Sequence, residues 1–450
     1  MINRKIEKRL NNFFDKKENK ALLITGARQV GKTYIIREFS KKYEHFVEIN
    51  FIEKSELTTL FSNCKGRDDF LLRLSAVAGN ELVKGKTLVF FDEVQECKDI
   101  VTAIKFLVEE GSYQYVLSGS LLGIELKDIR SVPVGYMDII EMYPLDFEEF
   151  LYANFVSSKI VDSLKDSFYN EKVVDDVIHE KIMDLFLLYL IVGGMPEAVQ
   201  KFIETNNISE VVKIQNTIIN AYKKDIAKYD ADSKLYLEDI FNLIPSELNN
   251  KNKRFILKDL NENKRFSRFR NSFIWLKEAG VALPAFCVDE PKVPLLLSKS
   301  TNLFKLFLSD VGLLSSMYMN DIQIKILSKE KDINFGSIYE NFAAQELKAH
   351  GFDLFYFNSK KQGELDFVIE QDAEVLPIEM KSGKCYSRHV ALDNVMSSES
   401  YDIQKAYVFY NGNVNVNDKV KYLPVYMLMF IEKKKLDDDF IYIPDIECLK

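Results

Sequence analysis

The stretch ALLITGARQVGKTYIIREF, residues 21–39, constrains this chain more than any other. An apolar run, Ala21–Thr25, leads into Gly26-Ala27-Arg28-Gln29-Val30-Gly31-Lys32-Thr33, and a helical pattern follows. The spacing is G-x-x-x-x-G-K-[ST], in the strand–loop–helix setting that gives the pattern its meaning. Successive backbone N–H groups at a helix start form a nest for anions. Gly26 to Thr33 supply that loop. Lys32 is placed to reach outer phosphates, and the Thr33 hydroxyl is a ligand for Mg2+.

Residues 21–142 alternate strand and helix patterns, which predicts an α/β fold with a parallel sheet covered on both faces. Strands are expected at Ala21–Thr25, Phe46–Phe51, Thr87–Asp92, Gln114–Leu117 and Val134–Glu141. Ligands of such sheets bind at the carboxyl ends of the strands. The glycine loop, Asp92 and Ser118 all fall at such ends. From Pro144 to about Asp230 the pattern is helical, with Asp146 as an N-cap and one break at Gly193-Gly194-Met195-Pro196. Residues 231–330 read as short helices, then a helix ending at Gly280, then a strand over Val281–Val288. That order is compatible with a winged helix-turn-helix. Residues 331–450 alternate again: a helix up to Gly351, then strands at Leu354–Phe357, Leu365–Glu370, Val375–Met380 and Ala406–Tyr410. The expected divisions are thus 1–143, 144–230, 231–330 and 331–450.

Composition narrows the classes. Apolar residues are 47% and charged residues 28%, ordinary for a globular chain, and the net charge of −8 gives no global basic signal for nucleic acid. The five cysteines and four histidines are scattered, without zinc spacing or a disulfide framework. The start, MINRKIEKRLNNFF, reads as a charged amphipathic helix and not as a signal peptide. The longest apolar stretch, DLFLLYLIVGGM, is too short to span a bilayer. These features predict a reduced, cytoplasmic protein with no membrane partner.

Hydrolysis of a nucleoside triphosphate needs a carboxylate near Mg2+ and a group that polarises water. TLVFFDEVQE offers both: a buried strand, then Asp92 for the metal and Glu93 as the base. Ser118, or Ser120 after it, ends the following strand and is placed to contact the γ-phosphate or the lytic water. Taken in order, GARQVGKT, FFDEVQE, VLSGS, PLDFEEF and GGMPEA resemble a family of AAA-type ATPases of bacteria and archaea. Members of that family carry a C-terminal domain of unassigned function. KLFLSDVGLL, residues 305–314, and the end of the chain are similar to that part. The resemblance implies ATP as ligand, Mg2+ as cofactor, and self-association through the ATPase core, because such sites are often completed by a neighbour's Arg. One departure stands out. Family members usually carry a Gly-Arg pair before the Pro-Leu motif, and here it reads Gly135-Tyr136, with Arg130 and Arg28 as the remaining candidates for charge stabilisation.

The segment GELDFVIEQDAEVLPIEMKSGK holds a second constellation. Asp366 lies on one strand and Glu379-x-Lys381 on the next, with Glu340 upstream on a helix. The order resembles the restriction-endonuclease-like nucleases, the PD-(D/E)xK group, and the resemblance implies a metal held by Asp366 and Glu379. Glu340 would join them as a catalytic carboxylate, and Lys381 would orient water and stabilise charge. The tripeptide alone is weak, since Glu-x-Lys also starts at Glu18, Glu125, Glu262, Glu346 and Glu432, among other positions. The hairpin setting raises the Glu379 copy, because Asp366 and Glu379 become cross-strand neighbours. Arg254, Lys258, Lys264, Arg265, Arg268 and Arg270 form a basic stretch that serves equally as a solvated face or as phosphate contacts for DNA. The expected architecture is a P-loop NTPase core, a helical lid, a winged-helix-like connector and a restriction-endonuclease-like α/β domain. The expected function is ATP hydrolysis coupled to DNA binding or cleavage. The alternative is an ATP-switched regulator whose inactive nuclease-like domain docks a protein partner.

Overall fold

The computed structural model describes residues 2–16, 19–62, 64, 66–119, 135–228, 231–250, 254–255, 266–318, 322–330, 335–383, 385–434 and 441–444. Two sheets organise it. The first holds β1 (Ala21–Thr25), β2 (His45–Asn50), β3 (Thr87–Asp92), β4 (Gln114–Ser118) and β5 (Met137–Glu141), in the order β2-β3-β4-β1-β5. All of its pairings are parallel. Side chains alternate across a strand, so Leu22, Ile24, Leu88 and Phe90 pack with the helix Lys32–Ser40. Ala21, Leu23, Val89 and Phe91 pack on the other face with Phe70, Leu74, Ile100 and Ile104 of two further helices. Register brings Ile24 beside Ser118, Thr25 beside Glu141, and Asn50 beside Asp92. The polar strand ends therefore share one edge.

Helices Phe147–Ala153, Ser158–Tyr169, Asp176–Val192, Pro196–Thr205 and Ile208–Lys228 follow. Asp146 caps the first in a capping box: its carboxylate accepts the Glu149 N–H at 2.8 Å, and Glu149 accepts the Asp146 N–H at 3.2 Å. At the Gly193-Gly194 break the chain passes so close to Leu145 that a Cβ on Gly194 would lie 2.0 Å from the Leu145 carbonyl oxygen.

The second sheet is mixed and has eight strands. These are β6 (Ala282–Val288), β7 (Lys299–Leu308), β8 (Phe355–Ser359), β9 (Gly363–Gln371), β10 (Glu374–Lys381), β11 (Ala406–Tyr410), β12 (Asn415–Asn417) and β13 (Val420–Pro424). Their order is β12-β13-β11-β10-β9-β8-β6-β7. The β6–β7 hairpin thus departs from the expected separate connector. β6 pairs in parallel with β8, Phe286 opposite Phe355, so the boundary drawn at residue 331 runs through one continuous sheet. A local pattern reports a helix and a hairpin, but the edge that the hairpin joins is decided by apolar faces far along the chain. The buried helix Gly336–Ala349 covers one face of this sheet, and Val390–Met396 packs on the other. A single apolar cluster runs from Leu10 through the first sheet and the helical section to Ile431. Among the described residues no helix is long and apolar enough to cross a membrane.

Candidate functional site

The glycine loop runs from Gly26 to Gly31, the N-cap of the helix Lys32–Ser40, whose first two residues are Lys32 and Thr33. The buried Lys32 ammonium lies across the loop and donates to the carbonyls of Gly26 at 2.9 Å and Ala27 at 2.7 Å. Burial lowers its pKa to about 8, against the pull of Glu93 and Asp92. Asp92, at the end of β3, is the hub of the strand edge. Its Oδ2 accepts the Thr33 hydroxyl at 2.9 Å and the Asn50 amide at 3.0 Å, and its Oδ1 accepts the Ser118 hydroxyl. Burial raises the Asp92 pKa, and the Ser118 and Thr33 bonds oppose that rise. Glu93 is next, with φ 55°, a left-handed conformation that costs a non-glycine residue on the order of 1 kcal/mol. That turn carries its side chain off the strand, where it accepts from the Gln95 amide at 2.6 Å. Asn50 was not legible as part of this edge, and its one signal was a polar residue closing the apolar strand before β3.

Arg28 turns outward. It forms an ion pair with Asp225 at 3.0 Å, and its carbonyl accepts the Tyr222 hydroxyl at 3.2 Å. The turn at Gly280 covers the loop as well, since a Cβ there would come within 2.9 Å of the Ala27 nitrogen. Tyr136 lies at the amino ends of the strands, away from the loop: its carbonyl accepts the Ala21 N–H at 2.8 Å, and its hydroxyl binds Glu109 at 2.7 Å. Ser120 and Arg130 fall outside the described residues, as do Lys258, Lys264, Arg265 and the side chains of Arg268 and Arg270.

In the second sheet, β9 carries one extra residue opposite β8. Phe355 pairs with Val368 and Phe357 with Leu365, so Asp366 and Phe367 together face Tyr356. Such a bulge re-aims a side chain. Asp366 Oδ2 accepts the Met380 N–H at 2.9 Å, which sets it beside Glu379 across the hairpin. Glu379 is buried and binds the Lys381 ammonium at 2.6 Å. Burial, then Asp366, push its pKa up to about 8, and Glu340 adds to the effect. The four residues singled out from the sequence therefore stand close together. Two more join them. Lys305, fully buried on β7, lies 2.8 Å from Glu364 Oε1 and 3.4 Å from Glu340 Oε2, with the Tyr356 ring 5.0 Å away. Burial alone would lower the Lys305 pKa, but Glu340, Glu364 and Asp366 outweigh it and raise it. The signal for Lys305 was a lone cation inside the apolar run Leu303–Leu308.

Charged groups also join the phosphate loop to the second sheet. Arg4 donates to the Val30 carbonyl at 3.2 Å and the Tyr143 carbonyl at 2.7 Å, and pairs with Glu149 at 3.2 Å. Lys5 pairs with Asp146 at 2.7 Å. His350 Nε2 lies 3.4 Å from Asp146, and the buried Glu346 accepts the Phe147 N–H at 2.7 Å. The PLDFEEF motif thus serves as a joint between the two halves.

Comparison with known proteins matches three segments of the chain. Residues 18–151 match the family model of an AAA domain, in agreement with the P-loop ATPase fold of the first sheet. Residues 183–324 and 335–428 match two domains of unknown function, DUF8612 and DUF4143. No curated protein matches the chain. Among solved structures it is similar to a Walker-type ATPase of Pyrococcus abyssi, at 14% identity over 71% of this chain and 96% of that one, with a TM-score of 0.44. It is also similar to Cdc6p from Pyrobaculum aerophilum, at 13% identity over 73% and 96%, with a TM-score of 0.27. A third is Drosophila ORC bound to DNA, at 13% identity over 67% and 91%, with a TM-score of 0.28. Residues 18–151 of this chain are thus similar to AAA domains, and their parallel sheet has the P-loop ATPase fold.

Proposed function

We propose that this chain hydrolyses ATP in a Mg2+-dependent reaction and that turnover governs what the second sheet binds. One observation carries the reading: Thr33, Asn50 and Ser118 all converge on Asp92, beside Lys32 and Glu93, at the carboxyl edge of the first sheet. The donor set fits a hard cation, since carboxylate and hydroxyl oxygens are what Mg2+ prefers. Thr33 and Asp92 would hold it, and when bound it neutralises charge on the phosphates. The amides of Gly26, Ala27, Arg28, Gln29, Val30, Gly31, Lys32 and Thr33 cradle the phosphates. Lys32 swings from the loop carbonyls to the β- and γ-oxygens. Glu93 leaves Gln95 and takes the proton of the attacking water as its oxygen bonds to the γ-phosphorus and ADP departs. Ser118, anchored on Asp92, orients that water.

General-base catalysis contributes about 10²–10⁴ in rate. Glu93→Gln should therefore lower kcat by that order while ATP affinity stays within a few-fold. A variant that turns over ATP at the wild-type rate removes Glu93 from the role.

The output is DNA in our first reading, bound by the domain that holds Glu340, Asp366, Glu379 and Lys381. Self-association through the ATPase core would supply the charge stabiliser that Tyr136 does not. Lys305 favours a second reading, in which the nuclease-like domain is inactive and docks a protein partner.

A further inference from the structure

The nuclease-like reading of the second sheet implies a divalent metal on Asp366 and Glu379. The surroundings of these carboxylates test whether such an ion fits. Mg2+ requires six oxygen ligands in near-octahedral array and keeps several of its waters. The cluster offers a different environment. Lys305 reaches it from β7, with no solvent exposure, and its ammonium bonds Glu364 and lies 3.4 Å from Glu340. Lys381 occupies one Glu379 oxygen from the other side. Two ammonium groups are already threaded among four carboxylates. Three of the four carboxylates, Glu340, Glu364 and Glu379, thus already face a fixed ammonium, while Glu379 Oε1 is buried without a partner among the described residues. Among the described residues, no three His, Cys, Asp or Glu side chains converge closely enough to hold a metal ion.

We propose that Lys305 is the resident cation of this cluster, a side-chain ammonium that pairs with Glu340 and Glu364 in place of a divalent metal. The inference rests on the nuclease-like reading of these residues and opposes the cleavage that reading implies. It leaves the ATPase reading untouched. A buried carboxylate such as that of Glu340 is strongly unfavourable without a counter-ion. Lys305 therefore has a structural task that a diffusible ion performs elsewhere, and the domain folds without metal. Strand β7 also anchors that cation on the hairpin whose preceding turn, at Gly280, lies against the phosphate loop. The cluster is thereby tied to the segment nearest the nucleotide site.

The test is a Mn2+ titration followed by electron paramagnetic resonance, on nucleotide-free full-length protein. Wild type and Asp366→Ala should bind Mn2+ alike, because wild type has no Asp366-dependent site. Lys305→Met, which keeps the length and loses the charge, should melt several degrees lower. It should also gain a Mn2+ site that Asp366→Ala abolishes in the double variant, and Mn2+ should restore its Tm. Asp366-dependent Mn2+ binding by wild type overturns the proposal. So does a folded Lys305→Met that binds no additional Mn2+. If Lys305→Met does not fold, the comparison of wild type with Asp366→Ala decides alone. ATP turnover by the wild type is measured in parallel, so a failed ATPase reading is distinguished from a failed assignment of Lys305.

Discussion

Glu346 offers a quantitative test of the joint between the two halves. Its carboxyl is fully buried where the helix Gly336–Ala349 meets Asp146. Burial, then the Asp146 charge, push its pKa up to about 8, while His350 and Lys5 pull downward. In the unfolded chain the group titrates near 4.5. The folded state therefore holds this proton more tightly. The resulting stabilisation is present in full below about pH 4.5 and is lost as the pH rises through 8. His350 acts in the same direction. Burial alone would lower its pKa, but Asp146 and Glu346 more than reverse this, so its contribution also fades as the pH rises. One unit of displacement corresponds to about 1.4 kcal/mol. Allowing for relaxation around a buried pair, the loss from Glu346 between pH 5 and 9 is on the order of 2–4 kcal/mol. Glu346→Gln keeps the oxygen that accepts the Phe147 N–H and removes the ionisation. Thermal melts of both proteins from pH 6 to pH 9 should show a wild-type Tm that falls by several degrees and a shallower fall in the variant. The variant should be the more stable of the two at pH 9. Identical slopes would refute the argument, because they would mean that Glu346 carries no displaced proton.

Two further outcomes follow from the geometry and the proposed output. Gly194→Ala forces a Cβ against the backbone of Leu145, 2.0 Å from its oxygen and 2.7 Å from its nitrogen, and should cost at least the ~1–3 kcal/mol of an overpacked core. A Tm within a degree of wild type would contradict that contact. If DNA is the target of the second half, affinity for a short duplex should fall linearly with the logarithm of salt concentration, with a slope that scales with the phosphates neutralised. Affinity that is absent or flat with salt favours the protein partner.

The sequence was most readable where chemistry and local structure coincide. The loop, the Asp92 strand end and the Ser118 strand end each lie inside one short segment, and a parallel sheet brings such ends to one edge by topology. The adjacency of Asp366 and Glu379 was readable because the turn at Asp372-Ala373, with positive φ at both residues, fixes the hairpin register. What escaped depended on long-range pairing. Lys305 enters the carboxylate cluster because β6 pairs with β8, and nothing local in residues 282–308 names that partner. The β6–β7 hairpin was mistaken for part of a connector for the same reason. The joint of Lys5, Asp146, Glu346 and His350 brings together segments far apart in the chain, and PLDFEEF read only as a helix start.

The cover of the phosphate loop carries a consequence in time. The loop is complete at Thr33, but its outer side is closed by Tyr222, Asp225 and the turn at Gly280. At about 5–20 residues per second, a ribosome needs roughly 10–50 s to synthesise the intervening segment. The turn at Gly280 is thus made long after the loop it covers, and the outer side of the loop is closed only when segments synthesised late have packed against it.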